Sequence, residues 1–159
     1  MRILLIMLLL LISQIATAQN SKNAVFLSGG LGSPGIFVIN YNFTAVINNN
    51  LISLGYLGGD DLTETPDQFT EYSFLYGRSQ GSRWARFSIA AGIAVSKGHW
   101  EDYNEDVHHY EVLGLPIEGQ VIFTPLPAIG IGLKMSKTFR KKSEGPYLMA
   151  TIYLGNISH

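Results

Sequence analysis

WARFSIAAGIAV, residues 84–95, alternates strictly between two kinds of side chain. One set of alternate positions is apolar throughout: Ala85, Phe87, Ile89, Ala91, Ile93 and Val95. The other set is small or polar apart from the tryptophan at its start: Trp84, Arg86, Ser88, Ala90, Gly92 and Ala94. A period of two residues is typical of a β-strand, whose successive side chains point to opposite faces of the sheet. The segment therefore predicts a strand with one large apolar face and one small polar face.

The same alternation recurs in other segments of the chain. They are residues 24–31, 36–44, 50–58, 69–77, 111–123, 128–136 and 147–154. Apolar spacing of three and four residues, which marks an amphipathic helix, is not convincing anywhere after residue 18. The pattern predicts eight strands of about 8–12 residues each and no helix.

The composition excludes several classes of protein. Only 14% of the 159 residues are charged, against about 25% in an average soluble domain, and 47% are hydrophobic. Such a chain is too apolar to be disordered. It has no cysteine, which excludes disulfides and cysteine-ligated zinc. The net charge of −1 argues against nucleic acid as a partner, since nucleic-acid-binding proteins carry a basic excess.

The first 18 residues, MRILLIMLLLLISQIATA, have the three parts of a secretory signal peptide. Arg2 gives the positive start, residues 3–11 form an uncharged apolar core, and residues 16–18 (Ala-Thr-Ala) are a small-x-small cleavage site. The apolar run is shorter than the ~20 residues of a membrane-spanning helix. We expect residues 1–18 to be a signal peptide, and cleavage leaves residues 19–159 as one domain.

The two faces of the predicted strands differ in a way that favours a membrane barrel. A soluble sandwich covers its outer face with Lys, Glu and Thr, whereas the second face here carries mainly Gly, Ala, Ser and Asn. Small side chains suit the interior of a narrow barrel, and the large apolar face then meets lipid. Closure is required because an open sheet edge in hydrocarbon leaves backbone groups unpaired. The sequence predicts an all-β fold, an eight-stranded antiparallel up-and-down transmembrane β-barrel preceded by a signal peptide.

The connections between the predicted strands fall into two sets. An exported chain starts its first strand from the periplasm, so alternate connections lie outside the cell: residues 31–35, 59–68, 96–109 and 139–145. The periplasmic connections are residues 45–49, 78–83 and 124–127. The two longest connections belong to the outer set, and longer outer loops are typical of bacterial outer-membrane barrels.

Aromatic residues near the strand ends predict two girdles at the membrane interfaces. The periplasmic girdle comprises Phe43, Tyr76, Trp84, Phe123 and Tyr153. The outer girdle comprises Phe37, Phe69, Tyr72, Tyr110 and Tyr147.

Four charged residues fall on the small face in midstrand, two acidic and two basic: Glu71, Arg86, Glu118 and Lys134. Gln120 lies on the same face as Glu118. Because an unpaired buried charge costs several kcal/mol, we expect these side chains to pair inside the barrel. The favoured interpretation is a neutral polar plug with a structural role. A gated or ion-conducting lumen is the alternative, although eight strands leave little room for a channel.

Residues 97–110, KGHWEDYNEDVHHY, form an acidic segment of the predicted outer connections and contain three of the four histidines. Imidazole and carboxylate together bind zinc, nickel or copper, but the spacing matches no closed metal motif. The segment is interpreted as a solvated acidic loop, with a divalent cation or a partner protein as its candidate ligand. The residues that would contact this ligand are His99, Trp100, Glu101, Asp102, His108 and His109. No metal site and no cofactor are predicted.

With eight strands inferred, the chain resembles a group of small outer-membrane β-barrel proteins of Bacteroidetes-type bacteria. Four segments carry the resemblance, which covers most of residues 19–159: YSFLYG (72–77), FSIAAGI (87–93), LGLPIEGQ (113–120) and IGIGLK (129–134). These motifs are patterned rather than catalytic. The resemblance implies a lipid-embedded barrel of largely uncharacterised function. One departure is the ending YLGNISH, residues 153–159, which lacks the terminal aromatic residue that many such barrels carry.

Together these features predict a small integral outer-membrane β-barrel with a side-chain-filled lumen. We expect it to contact outer-membrane lipid and the barrel assembly machinery. Its role is structural, or lies in contacts of its outer loops with an unknown surface ligand or protein, without catalysis. The alternative is a secreted soluble lipocalin-like barrel that binds a small apolar ligand and turns its apolar face inward. Two further interpretations stay open: a narrow pore, and a lipid-modifying barrel enzyme that uses Ser96 and His99.

Overall fold

Eight strands form a closed antiparallel barrel in the computed structural model, which describes residues 23–33, 37–60, 68–82, 84–101, 107–140 and 146–157. Each strand pairs with the next along the chain, and the last pairs with the first. The strands are β1 Ala24–Ser33, β2 Phe37–Ile47, β3 Asn50–Asp60, β4 Gln68–Gly81, β5 Ala85–Glu101, β6 Val107–Leu126, β7 Ile129–Phe139 and β8 Tyr147–Asn156. The prediction of an all-β, eight-stranded up-and-down barrel is confirmed.

The described residues contain no helix with the length and apolarity needed to cross a membrane. Residues 1–18 lie outside the described part of the chain, so the signal peptide stays a prediction.

The two-residue alternation sorts the side chains between the interior and the outer wall. In β8, Tyr147, Met149, Thr151 and Tyr153 are buried, whereas the residues between them are exposed. The inward set therefore includes large side chains as well as the small ones that the pattern predicts. The barrel is filled by these side chains because eight strands enclose little space.

The two ends of the barrel differ, and we name them by their connections. At the turn end, β2 passes to β3 through Asn48 and Asn49, whose φ angles of 51° and 66° are those of a tight hairpin turn. Asparagine tolerates this left-handed region better than other residues with a Cβ. β4 passes to β5, and β6 passes to β7, at the same end. The opposite end, where the long β5–β6 hairpin lies, is called the hairpin end.

At the hairpin end, β5 and β6 extend well beyond the strand bounds that the sequence predicts. They are 17 and 20 residues long, and their pairing continues through Lys97↔Glu111 and His99↔His109 to Glu101↔Val107. The prediction of a loop over residues 96–109 is therefore wrong for most of its length. This charged, glycine-containing sequence suggests a loop because it has no apolar face. A hairpin that extends above the barrel does not need an apolar face. We call residues 97–101 and 107–111 the β5–β6 extension.

Glycine permits the close approach of neighbouring strands on the inner face. A Cβ added at Gly92 in β5 would collide with the backbone carbonyl of Phe74 in β4. At Gly132 in β7 it would collide with the carbonyl of Val121 in β6. At Gly119 in β6, which lies on the outer wall, nothing lies within 4 Å of the added atom. The strongly curved wall therefore requires glycine at particular positions rather than wherever the sequence contains one.

We expect Gly92→Ala to destabilise the barrel by about 1–3 kcal/mol, because the new methyl group overpacks against backbone that cannot move aside. Gly119→Ala is the matched control and should change the free energy of unfolding by less than about 0.5 kcal/mol. Each variant is unfolded with urea in detergent micelles. The difference in gel migration between folded and unfolded chains gives the fraction that remains folded. Equal losses in the two variants would contradict this account of the inner wall.

Candidate functional site

The interior of the barrel is arranged in three layers. The turn-end cluster is apolar and consists of Ala24, Phe26, Val46, Leu51, Leu75, Ala90, Ile122, Tyr153 and Ile157. The hairpin-end cluster is also apolar and consists of Val38, Leu57, Phe69, Tyr147 and Met149. Between them lies a polar layer that contains most of the charged residues singled out in the sequence. Both ends of the polar layer are thus covered by packed apolar side chains.

An ion pair between Lys134 in β7 and Glu118 in β6 forms the centre of the polar layer. Lys134 Nζ lies 2.7 Å from Glu118 Oε2, and the two side chains are 1% and 12% exposed. Lys134 Nζ also donates a hydrogen bond of 3.1 Å to Asn40 Oδ1 in β2. Asn42 lies beside it and fits best with its amide oxygen toward the ammonium group. The network crosses the lumen and connects non-adjacent strands.

Glu71 in β4 is held by hydroxyl groups. Its carboxylate accepts hydrogen bonds from Ser96 Oγ at 2.7 Å and from Thr138 Oγ1 at 2.8 Å. The side chain is buried. Hydrogen bonds to a carboxylate are stronger than those between neutral groups and compensate part of its desolvation. Glu71 thereby joins β4, β5 and β7.

Arg86 lies apart from Lys134, at the turn end. Its Nε donates to the carbonyl oxygen of Ile157 at 3.0 Å, and its Nη1 donates to Ser79 Oγ at 3.1 Å. Ser88 Oγ bonds to the same Ser79 hydroxyl at 2.8 Å. Of the four charged residues, Lys134 and Glu118 pair with each other. The contacts described here join Glu71 to hydroxyl groups, and Arg86 to a hydroxyl group and a carbonyl.

Gln120 belongs to the boundary between the polar layer and the turn-end cluster. Its Oε1 accepts a hydrogen bond of 3.2 Å from the Tyr153 hydroxyl. The Tyr153 ring packs edge-on against Phe26, with 5.7 Å between the ring centroids. Tyr153 thus presents its apolar body to the cluster and its hydroxyl to the polar layer.

The chain beyond β8 turns inward and closes the turn end. Gly155 has a φ of +144°, and its N–H donates to the carbonyl of Ala128 at 3.0 Å. The N–H of Ile157 donates to the carbonyl of Pro127 at 3.2 Å. The Ile157 side chain is fully buried in the turn-end cluster. The sequence does not predict that Ile157 packs inside the barrel. The signal for the change of direction is Gly155, which follows directly on the alternating residues 147–154.

The polar layer encloses little free volume. Its cavity measures about 10 Å³ and is lined by Asn42, Thr44, Leu51, Ser53, Ser88, Ala90, Glu118, Gln120 and Lys134. This is space for about one water molecule. At this cavity, inward-facing side chains of β2, β3, β5, β6 and β7 occupy most of the polar layer.

The outer wall is apolar around the barrel. On β6, outward residues from Leu113 to Phe123 carry no charge, and Leu113 is 77% exposed. Ten residue steps cover about 33 Å of strand, or roughly 25 Å along the axis at the usual tilt of membrane barrels. Lys97 and Glu111 flank this band at the hairpin end, and Arg78 is exposed toward the turn end.

This distribution contradicts the lipocalin-like alternative, which needs the apolar face inside. The large side chains of Ile93, Leu133 and Ile152 are more than half exposed on the outer wall. The inner face holds Lys134, Glu71 and many hydroxyl and amide groups instead. A soluble ligand-binding barrel has the opposite arrangement.

The aromatic girdles are only partly as predicted. On the outer wall, Tyr41, Tyr56 and Tyr72 form a row across β2, β3 and β4, with ring centroids 6.2 Å and 5.5 Å apart. Four residues assigned to the girdles turn inward instead: Phe69, Tyr147 and Tyr153 are buried, and Tyr110 packs against the hairpin-end cluster. Nearness to a strand end suggested a girdle, but their alternate positions turn these rings inward.

The candidate ligand-contacting residues of the extension separate onto two faces. His99 and His109 lie directly opposite each other on the outward face, above the Lys97–Glu111 ion pair of 3.2 Å. His108 lies on the opposite face. Trp100 and Glu101 are in β5, but their side chains, like the whole of Asp102, lie outside what the structure describes. Within the described residues, three or more metal-ligating side chains do not gather.

The enzyme interpretation needs Ser96 beside His99, and the structure contradicts it. Ser96 is fully buried and donates its hydroxyl hydrogen bond to Glu71 inside the barrel. His99 follows three residues later and therefore points to the outer face. A serine and a histidine on opposite faces of one strand cannot act together as nucleophile and base.

Comparison with known proteins identifies the fold. No protein-family model matches the chain, and no curated protein matches it. Neisserial surface protein A is 10% identical with a TM-score of 0.63, over 86% of this chain and 98% of that one. The N-terminal β-barrel domain of Pseudomonas aeruginosa OprF is 11% identical with a TM-score of 0.66, over 86% and 98%.

The attachment invasion locus protein Ail of Yersinia pestis is also similar, at 11% identity with a TM-score of 0.61, over 83% of this chain and 97% of that one. Ail has been solved with the heparin analogue sucrose octasulfate and, as an outer membrane protein, in a phospholipid bilayer nanodisc. At such identities these likenesses establish a shared barrel fold.

We expect Lys134→Met to lower the free energy of unfolding by about 3–5 kcal/mol, since it leaves the Glu118 carboxylate buried without its cation. The double variant Lys134→Met, Glu118→Gln should recover much of this loss, because neither charge is then left alone. Urea unfolding of both single variants and the double variant gives the coupling energy of the pair. Additive losses would show that the pair does not act as a unit.

We expect Ile157→Ala to lower the free energy of unfolding by about 2–4 kcal/mol, because it leaves a cavity in the turn-end cluster. Ile152→Ala removes the same atoms from the outer wall of β8 and serves as the control, with a distinctly smaller loss. Both variants are compared by the temperature at which the folded gel band disappears. If the control loses as much as Ile157→Ala, the inward turn of the chain is not a stabilising contact.

Proposed function

We propose that the protein is a small integral β-barrel of the bacterial outer membrane. The single observation that carries the proposal is the inside-out distribution of polarity: a polar interior and an apolar outer band roughly 25 Å tall. In water such a band leaves an apolar surface far larger than monomeric soluble proteins expose. In a bilayer it faces acyl chains, while the closed strand pairing leaves no sheet edge in the hydrocarbon.

Export and assembly follow from the same proposal. Residues 1–18 act as the signal peptide that brings the chain to the periplasm, where cleavage leaves residues 19–159. The barrel assembly machinery then inserts the strands, and β1 must meet β8 for the sheet to close. In this orientation the hairpin end faces the outside of the cell. The resemblance to barrels of Bacteroidetes-type bacteria supports a source of that type.

The role that we propose is structural or lies in surface interaction, without catalysis and without conduction. Glu71, Arg86, Glu118, Gln120 and Lys134 hold the strands in register from within. The apolar clusters above and below the polar layer support a lumen closed to ions. Contacts with a surface ligand or partner protein then fall to the hairpin end, where the β5–β6 extension projects. The complex of the similar barrel Ail with a heparin analogue supports a role in surface interaction.

The proposal is tested by locating the protein and by placing a charge in the apolar band. We expect the wild-type chain in the outer-membrane fraction as a band whose gel migration changes on heating, with no ion conductance in planar bilayers. Ile93→Arg puts a cation at the middle of the band and should cost about 2–4 kcal/mol, so that the folded band is lost or reduced.

Gln80→Arg is the control, because Gln80 is exposed on the outer wall close to the turn end, near Arg78. It should insert like the wild type. Recovery of the wild-type protein in the soluble periplasm would refute the membrane assignment, and discrete conductance steps would refute the closed lumen. Equal insertion of both arginine variants would contradict the placement of the band in lipid.

A further inference from the structure

Two histidines of the β5–β6 extension face each other across the strand pair. His99 in β5 and His109 in β6 are register partners, and their ring centroids are 6.0 Å apart at an interplanar angle of 55°. Both side chains lie on the outward face. They form the next outward pair after Lys97 and Glu111, with Gly98 and Tyr110 between the two pairs. Directly opposed residues on antiparallel strands have the shortest distance between side chains that a sheet offers. The backbone therefore fixes the two imidazole rings as a pair.

The separation of the rings suits a shared metal ion. Nitrogen–metal distances of about 2.0–2.1 Å place the centroids of two imidazoles that bind one ion roughly 4.5–5 Å apart. The observed 6.0 Å exceeds this value by roughly 1–1.5 Å, a difference that a change of side-chain torsion in His99 or His109 can close between residues already paired by the backbone.

The surroundings leave room for an ion and supply a further oxygen ligand. His99 and His109 line an open groove of about 930 Å³ on the outer wall, together with Lys97 and Glu111. The Glu111 carboxylate is two residues from His109 on the same face and forms an exposed ion pair with Lys97 at 3.2 Å. An exposed pair is weakly held, so Glu111 can exchange its partner for a cation. Water from the open groove completes the coordination.

We propose that His99 and His109 form a surface site for a divalent transition-metal ion, and that Glu111 leaves Lys97 to become an additional oxygen ligand when the ion binds. Two imidazoles with a carboxylate favour Cu²⁺, and then Ni²⁺ or Zn²⁺, over Mg²⁺ or Ca²⁺. The bound ion connects β5 to β6 above the apolar band and so stabilises the extension. This site goes beyond the proposed function and does not depend on it, because the folded barrel binds the metal in detergent as well as in a membrane.

The test is isothermal titration calorimetry of the folded, tag-free protein in detergent. CuCl₂ and ZnCl₂ are titrated in separate experiments. We expect one ion per chain, and binding at least about tenfold weaker in His99→Ala and in His109→Ala. His108→Ala is the matched control, since it removes a histidine from the other face of the same hairpin, and it should bind like the wild type. Lys97→Ala should bind more tightly, because it removes a nearby cation and frees Glu111.

A second measurement reports the ligands directly and does not rely on affinities. The electron paramagnetic resonance spectrum of the Cu²⁺-loaded wild type should show hyperfine coupling to two imidazole nitrogens, and each single His99 or His109 variant should show one. The heat-dependent gel shift of every variant confirms that it is folded. Absence of saturable binding to the wild type, or equal affinity in the His99, His108 and His109 variants, would overturn the proposed site. The localisation experiment above has no bearing on either outcome.

Discussion

The pairing of β1 with β8 is the constraint on which the rest of the structure depends. It leaves the described sheet without an edge, which allows a band of the outer wall to be apolar all the way around the barrel. Closing a sheet with as few as eight strands makes the barrel narrow, so that side chains on opposite walls come into contact across the interior. The glycines at which a Cβ would meet neighbouring backbone, such as Gly92 and Gly132, follow from the same curvature.

A narrow, lipid-surrounded barrel must place its polar groups inside, and there they need partners. Lys134 meets Glu118, Glu71 meets two hydroxyl groups, and Arg86 meets the carbonyl of Ile157. Three contacts of the interior connect strands or segments that are not neighbours in the sheet, which the backbone ladder alone cannot do: Lys134 with Asn40, Glu71 with Thr138, and Arg86 with Ile157. The polar layer therefore complements the backbone pairing. Backbone hydrogen bonds join neighbouring strands around the wall, and the side chains of the polar layer join strands across the lumen.

The sequence predicts the barrel well because the period of two residues is a direct consequence of strand geometry, as in residues 84–95. It predicts the inward position of Lys134 and Glu71 for the same reason. It does not predict which residues meet, because the partners Asn40, Thr138 and Ile157 are distant in sequence and are brought close only by the register. The extension is missed because its pairing depends on the neighbouring strand and not on an apolar face of its own.

The inward turn at Ile157 also sets an order of events during folding. The floor of the barrel is made partly from the last described residues, and Arg86 receives its carbonyl partner only after that segment has entered the ring of strands. The hydrogen bond from Arg86 to Ile157 thus joins β5 to the segment after β8, so the floor of the barrel couples the middle of the sheet to the strand that closes it.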